Sequence, residues 1–212
     1  MGIKEKASKA VEGIRKEADV VKGRESKDKV YSTTRKFDDV DAAIFEFGRS
    51  RERLLNVNGW SKIPGIANAT FELFSADGER LDKYQVENGD FIKIDLPGPL
   101  PHYWVEVIDI ADGKDKSQFT VKPSHNPTEG KDRNVTDHFF KSQARSTFLV
   151  ERNGGEITAM EIGENEAINN QDAEAGDKSV INTLVSEGGW AGFQRYQWKN
   201  LTDYLVGIRS PK

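Results

Sequence analysis

The side chains able to do chemistry in this 212-residue chain are few and scattered. There are three histidines and no cysteine, so a thiolate nucleophile, a disulfide framework and a cysteine-held zinc are excluded. His125 and His138, together with Asp132 and Asp137, are the set best suited to ligate a metal or move protons. The two histidines stand thirteen residues apart in a stretch rich in proline, glycine and polar residues. No recognised ligand spacing is present, so the expectation is a solvated loop and no metal. His102 follows Pro101 and reads as a turn residue. No Ser-His-Asp spacing, P-loop or GxGxxG element occurs, and no nucleotide or other cofactor is expected. The acidic residues Glu161, Glu164, Glu166, Asp172, Glu174 and Asp177 could attract cations, but such a run usually belongs to a solvated loop.

A different chemistry, the holding of an apolar molecule, has better support. On a 3.6-residue wheel Trp190, Phe193, Leu201, Tyr204, Leu205 and Ile208 share one face of a C-terminal helix, and Gln197 falls on the same face. Aromatic walls with one or two polar groups suit an apolar ligand with a polar head. The plainer alternative is a filled core with Gln197 at its rim. A second set lies on strands: Tyr103, Val105 and Val107 alternate on one segment, and Ser146 and Phe148 on another. A buried Ser146 hydroxyl needs a partner, either a ligand or a neighbouring carbonyl. A register slip of one residue would turn the whole set outward.

The elements that must position these residues can be read from periodicity. Ile3, Ala7, Ala10, Ile14, Ala18 and Val21 form a narrow apolar stripe, so residues 3–21 read as a helix that needs a partner surface. Val30–Phe37 reads as a strand. Asp38 and Asp39 then cap a helix beginning near Ala42; Gly48 is expected to break or bend it, with a second short helix over Arg49–Asn58 and Trp60 just beyond. Six strands follow, over 70–75, 91–96, 103–110, 117–122, 141–152 and 156–162, punctuated by Asp77-Gly78, Pro97-Gly98-Pro99, Asp112-Gly113 and Asn153-Gly154-Gly155. Residues 123–138 and 165–178 read as loops. The C-terminus reads as helical over Val180–Val185 and again over Trp190–Ile208.

Charged residues make up 31% of the chain and hydrophobic ones 36%, with a net charge of -4. Aromatics are frequent enough to close one core, and the charge is too small to point to nucleic acid. Through Phe37 there are 11 Lys and Arg against 6 Asp and Glu; the remainder has 20 against 29. The basic segment could pack on the acidic remainder or meet another surface. No apolar run is long enough for a transmembrane helix, and no signal-peptide core is evident, which makes a cytoplasmic setting the default expectation.

The expected architecture is α+β: a curved antiparallel sheet gripping a long C-terminal helix, with two short helices after the first strand and an extra N-terminal helix. The domain division is residues 1–29, a charged helix and linker, and 30–212, the sheet-and-helix domain. This order resembles the START-like helix-grip superfamily, also called polyketide cyclase/Bet v 1-like or SRPBCC. The resemblance lies in Val30–Phe37 running into Asp38–Phe45, in Trp60 after the second helix, and in the Gly-Gly-Trp opening that leads to Asn200-Leu201-Thr202-Asp203-Tyr204-Leu205. The last run looks like the Aha1-type branch. The resemblance implies a hydrophobic small molecule or lipid held between sheet and helix, by Trp190, Phe193, Gln197, Leu201, Tyr204, Tyr103, Ser146 and Phe148. Two other readings stay open: a cyclase- or hydrolase-like enzyme on the same fold, and an interaction subunit that docks on a protein partner or on its own copy through residues 1–29.

Overall fold

The computed structural model describes residues 28–64, 69–97, 102–129, 136–169 and 190–210, with the side chains of 190–192 excepted. The helices expected over 3–21 and 180–185 lie outside these residues. Strand β1 (Lys29–Lys36) is followed by helices α1 (Val40–Leu55) and α2 (Val57–Trp60). Six strands come next: β2 (Thr70–Phe74), β3 (Phe91–Asp95), β4 (His102–Asp112), β5 (Lys116–Pro123), β6 (Arg145–Asn153) and β7 (Glu156–Glu164). Helix α3 (Trp190–Leu205) is the last described element.

The seven strands form one antiparallel sheet in the order β1-β7-β6-β5-β4-β3-β2. Strands β2 to β7 are a meander, and β1 returns to its far edge, pairing Thr33 with Ala159. The sheet curves around α3, and a register shift between Val107 and Asp109 bends β4. The β6–β7 hairpin turns at Asn153-Gly154-Gly155. Gly154 takes φ 58°, which a side chain disfavours. A Cβ on Gly155 would stand 2.8 Å from the Phe37 carbonyl, so this turn also needs glycine to let β1 pass.

Helix α1 starts where the carboxylate of Asp39 accepts from the backbone N–H groups of Asp41 and Ala42. Contrary to expectation, Gly48 does not break it; the helix runs unbroken to Leu55. The glycine costs only about 1 kcal/mol, and the buried stripe Ala43, Phe47, Ser50 and Leu54 holds the helix to the core. The break falls at Asn56, whose side chain accepts from the Gly59 N–H and starts α2. That short turn delivers Trp60 to the centre of the core. Its indole meets Phe71, Phe119 and Phe148 at centroid distances of 5.4, 5.8 and 5.1 Å and donates to the Arg53 carbonyl.

Helix α3 is held at its C-terminal half. Leu201 and Leu205 are fully buried, and Tyr204 packs beside them. Thr33 on β1 shares a hydrogen bond with Thr202 and donates to Asp203. The helix ends at Leu205 rather than Ile208. Gly207 turns left-handed at φ 74°, and the Arg35 guanidinium donates to the Val206 and Gly207 carbonyls. Ile208 is therefore exposed, not part of the inward face.

The stretch 123–138 is less open than expected. Strand β5 continues to Pro123, a 3-10 turn spans Pro127–Glu129, and residues 136–137 run back beside β4. There the Trp104 N–H donates to the Asp137 carbonyl and the Asp137 N–H to that of Ser124.

Candidate functional site

Antiparallel pairing puts Tyr31 on β1, Glu161 on β7, Phe148 on β6 and Phe119 on β5 in one row across the concave face. The neighbouring row holds Lys29, Gly163, Ser146 and Val121. Above these rows lies the N-terminal half of α3. Between them is a cavity of about 60 Å³. Its floor includes Tyr103, Val121, Ser146 and Phe148, and its roof is Phe193, Gln194, Gln197 and Trp198. Ile92, Ile94 and Phe71 form the side towards β2, and His138, Phe139 and Phe140 close one end. The lining is almost wholly carbon.

The residues named from sequence divide into two groups. Tyr103, Ser146, Phe148, Phe193 and Gln197 line the cavity. Leu201 and Tyr204 stand further along α3 in the packed core and do not line it. The side chain of Trp190 lies outside the described residues. Gln197 has a structural bond: its side-chain oxygen accepts from the Ala69 N–H at 2.8 Å, tying α3 to the entry of β2. Burial pushes the Tyr103 phenol up to about 12, so it faces the cavity as a neutral hydroxyl.

The polar corner of the cavity was not anticipated. Glu161 and Glu166, read from sequence as part of a solvated acidic loop, are both buried, at 0% and 2% exposure. The correction has a simple cause. Ile157, Ala159, Glu161 and Gly163 alternate along β7, so Glu161 must point the same way as the core residues before it. Glu166 folds back over Gly163, where a Cβ would stand 2.4 Å from its Oε1. The Lys29 ammonium lies 3.3 Å from Glu166 and also donates to the Gln194 side-chain oxygen. The Gln194 amide in turn donates to Glu166 at 3.3 Å. Glu166, Gln194 and Ser146 all line the cavity.

Glu161 lies beside this group but does not line the cavity, and it has no such support. Among the described residues neither of its carboxyl oxygens has a hydrogen-bond partner. The Ser146 hydroxyl is close enough to favour the ionised form slightly but falls outside hydrogen-bond geometry. Burial pushes the Glu161 carboxyl well above the usual carboxylate range, and the charge of Glu166 pushes the same way; Lys29 and Ser146 offset part of this. Burial also raises Glu166, against the pull of Lys29 and Gln194. Tyr31, across from Glu161, is raised to about 12 by burial and then by both carboxylates.

Two further cavity groups bear on chemistry. His138 does not lie in a solvated loop: its ring faces Tyr103 at 5.8 Å, and its Nδ1 accepts from the Phe140 N–H. That bond puts the proton of a neutral ring on Nε2. The buried Trp198 indole N–H has no acceptor among the described residues. His125 stands apart, against Phe91, and Asp132 is outside the described residues. Among the described residues no group of three or more His, Asp or Glu could hold a metal ion.

No family model and no curated protein matches the sequence. Solved structures with a similar chain path include a hypothetical protein from Helicobacter pylori, 13% identical over 88% of this chain and 92% of that one, with a TM-score of 0.48. Norcoclaurine synthase from Thalictrum flavum, in complex with dopamine and hydroxybenzaldehyde, is 12% identical over 90% and 93%, with a TM-score of 0.39. Ginseng major latex-like protein 151 from Panax ginseng is 16% identical over 87% and 99%, with a TM-score of 0.38. Likeness at this level concerns the path of the chain and transfers no activity. The helix-grip description of this chain stands on its own strand order, register and gripped helix.

Proposed function

We propose that the chain binds a small apolar molecule between the concave sheet and the N-terminal half of α3. The carbon-lined cavity with a single polar corner is the observation that supports this most. Filling that space with side chains would have been the simpler way to stabilise the fold, since a void forfeits packing contacts. A volume of about 60 Å³ is far below the ~300–1,000 Å³ of drug-sized pockets. The occupant is accordingly a single ring or a short chain. Placement in the Aha1-type branch of the helix-grip superfamily, and a cytoplasmic setting, belong to the same proposal; among the described residues no helix is long and apolar enough to cross a membrane.

A second reading, proton-transfer catalysis, is favoured by one observation: Glu166, a buried carboxyl with raised ionisation, lines the same space as Tyr103 and His138. Such groups are what acid–base chemistry requires. Binding is the more economical reading, because nothing yet places a reacting atom between them.

The test is thermal unfolding with a panel of single-ring compounds, repeated on Ala144→Leu, which places added carbons in the cavity wall. Saturation at about 100 times Kd should stabilise the native chain by about 2.7 kcal/mol. The substituted chain should fold and show no shift. Failure of every compound to shift the native chain, with Ala144→Leu simply more stable, would make the cavity a packing defect.

A further inference from the structure

The convex face of the sheet carries a second space, larger than the cavity. Register puts Phe91, Glu106 and Lys122 in one row across β3, β4 and β5. Ser146 pairs with Val121 and faces the concave side, so Arg145, one place before it, has the parity of that row. The segments around Ser124 and Asp137 are hydrogen-bonded to each other and to Trp104, and Ser124, His125 and Thr136 from these segments line the same space. The cleft so formed measures about 580 Å³, within the ~300–1,000 Å³ range of small-molecule pockets. Part of its lining is aromatic: the His125 ring packs edge-on against Phe91, with 5.4 Å between centroids. Its charged groups are Glu106, Lys122 and Arg145. Glu106 and Lys122 neutralise each other across the strands at 3.0 Å. Among the described residues Arg145 has no carboxylate partner; Glu164, opposite it on β7, makes no ion pair with it and does not line the cleft. The Arg145 guanidinium is nevertheless fixed, because Nη1 donates to the Ser142 and Ala144 carbonyls, at 2.7 Å each. That leaves Nε and Nη2, the edge with which Arg51 holds both oxygens of Asp112 elsewhere in this chain. In Arg145 neither nitrogen has a hydrogen-bond partner among the described residues, and neither is sealed from solvent.

We propose that this cleft binds a small aromatic carboxylic acid, whose carboxylate takes the free edge of Arg145 in a two-point grip and whose ring lies against Phe91 and His125. This site is separate from the cavity and does not depend on the cavity being occupied. A planar carboxylate matches the two parallel N–H donors of that edge. A guanidinium already held in place loses little freedom on binding. Charge then selects the head group. The described lining has one uncompensated positive charge, so a monoanion leaves the cleft neutral. A phosphate dianion would add a second negative charge facing Glu106. A neutral amide would forgo the charge-assisted bonds. Size separates the two spaces as well: a two-ring acid suits about 580 Å³ and is too large for about 60 Å³.

The experiment titrates the chain with naphthoate, naphthamide and naphthyl phosphate, which share a two-ring body and differ in the head. NMR signals of the His125 ring and the Trp198 indole report which space is filled. Naphthoate is expected to bind at least about 10-fold more tightly than the amide, to bind more tightly than the phosphate, and to shift His125 while leaving Trp198 in place. Arg145→Gln should remove the preference for the acid over the amide. Arg145 also ties down two carbonyls, so a second variant keeps the test independent of its folding. Glu106→Gln frees Lys122 and should tighten naphthoate binding by about threefold. Equal binding of acid and amide, or no binding of either, would overturn the proposal. So would shifts at Trp198 without shifts at His125, a phosphate preference in the native chain, or a Glu106→Gln chain that binds the acid no better.

Discussion

Replacing Glu161 by glutamine should change how stability depends on pH more than it changes stability at any one pH. Burial holds the Glu161 carboxyl well above its usual range in the folded chain, with Glu166 adding to the effect. In the unfolded chain it ionises near pH ~4.3. The folded state therefore binds more protons than the unfolded state at every pH between these two points. Stability falls as pH rises through that window, and it is highest when the group is protonated in both states. One such proton gives a slope of at most about 1.4 kcal/mol per pH unit. Glu166 is raised as well, by burial above all, but it is present in both chains, so the difference between them reports Glu161. Urea unfolding of the native chain and of Glu161→Gln at half-unit pH steps from 5 to 8 measures the difference. The substituted chain should gain relative to the native one as pH rises. Parallel curves across the range would mean that Glu161 ionises as it does in water, and the buried, unpartnered carboxyl would then be a mistaken reading.

Four more substitutions probe the frame around the cavity. Phe148→Ala removes a ring packed edge-on or tilted among Trp60, Phe119 and Trp198 and should cost about 3–5 kcal/mol in chemical denaturation. Gly163→Ala puts a methyl carbon 2.4 Å from the Glu166 carboxylate and should cost about 1–3 kcal/mol, whereas Gly48→Ala, in open space, should stabilise α1 by up to about 1 kcal/mol. Asp39→Ala removes the cap of α1 and should lower the urea midpoint by the equivalent of about 1 kcal/mol, with binding of any single-ring compound unchanged because Asp39 does not line the cavity.

The strands were legible because each announces itself twice, by alternation and by the turn that follows. Ile92 and Ile94 alternate with Lys93, and Asn153-Gly154-Gly155 fixes the last hairpin; the observed β3, β6 and β7 follow from these. Helix limits were harder to read. Gly48 looked like a stop, but tertiary contact on the opposite face outweighed a local preference of about 1 kcal/mol. Asn56, an ordinary polar residue in sequence, made the real break because its side chain was within reach of the Gly59 N–H.

Half of the site was readable and half was hidden by chemistry. Phe193, Gln197, Tyr103, Ser146 and Phe148 stand out as aromatic or polar residues on faces with a period, and the structure brings them around one space. Glu161 and Glu166 were set aside because acidic runs are usually wet. The parity of β7 carried the contrary signal: a residue two places after Ala159 on a half-buried strand faces inward whatever its charge. No sequence signal places Glu166 over Gly163, or Lys29 beneath Gln194, since those neighbours are made only by tertiary folding. His138 was assigned to solvent with its loop, although it precedes Phe139-Phe140, an aromatic pair that had to be buried somewhere.

The return of β1 to the edge beside β7 has a consequence for assembly. Lys29 and Glu166 are separated by most of the sheet in sequence, and Gln194 comes later still, so the three are brought together by long-range pairings. Such long-range closures are slow. On a ribosome, the meander would emerge with its two acidic groups uncovered and the last helix still in the exit tunnel. Until Gln194 arrives, those carboxyls remain hydrated and carry their charge. The molecule thus acquires its unusual acid only in the final step of folding, and a chain stalled before that helix would have the sheet without the site.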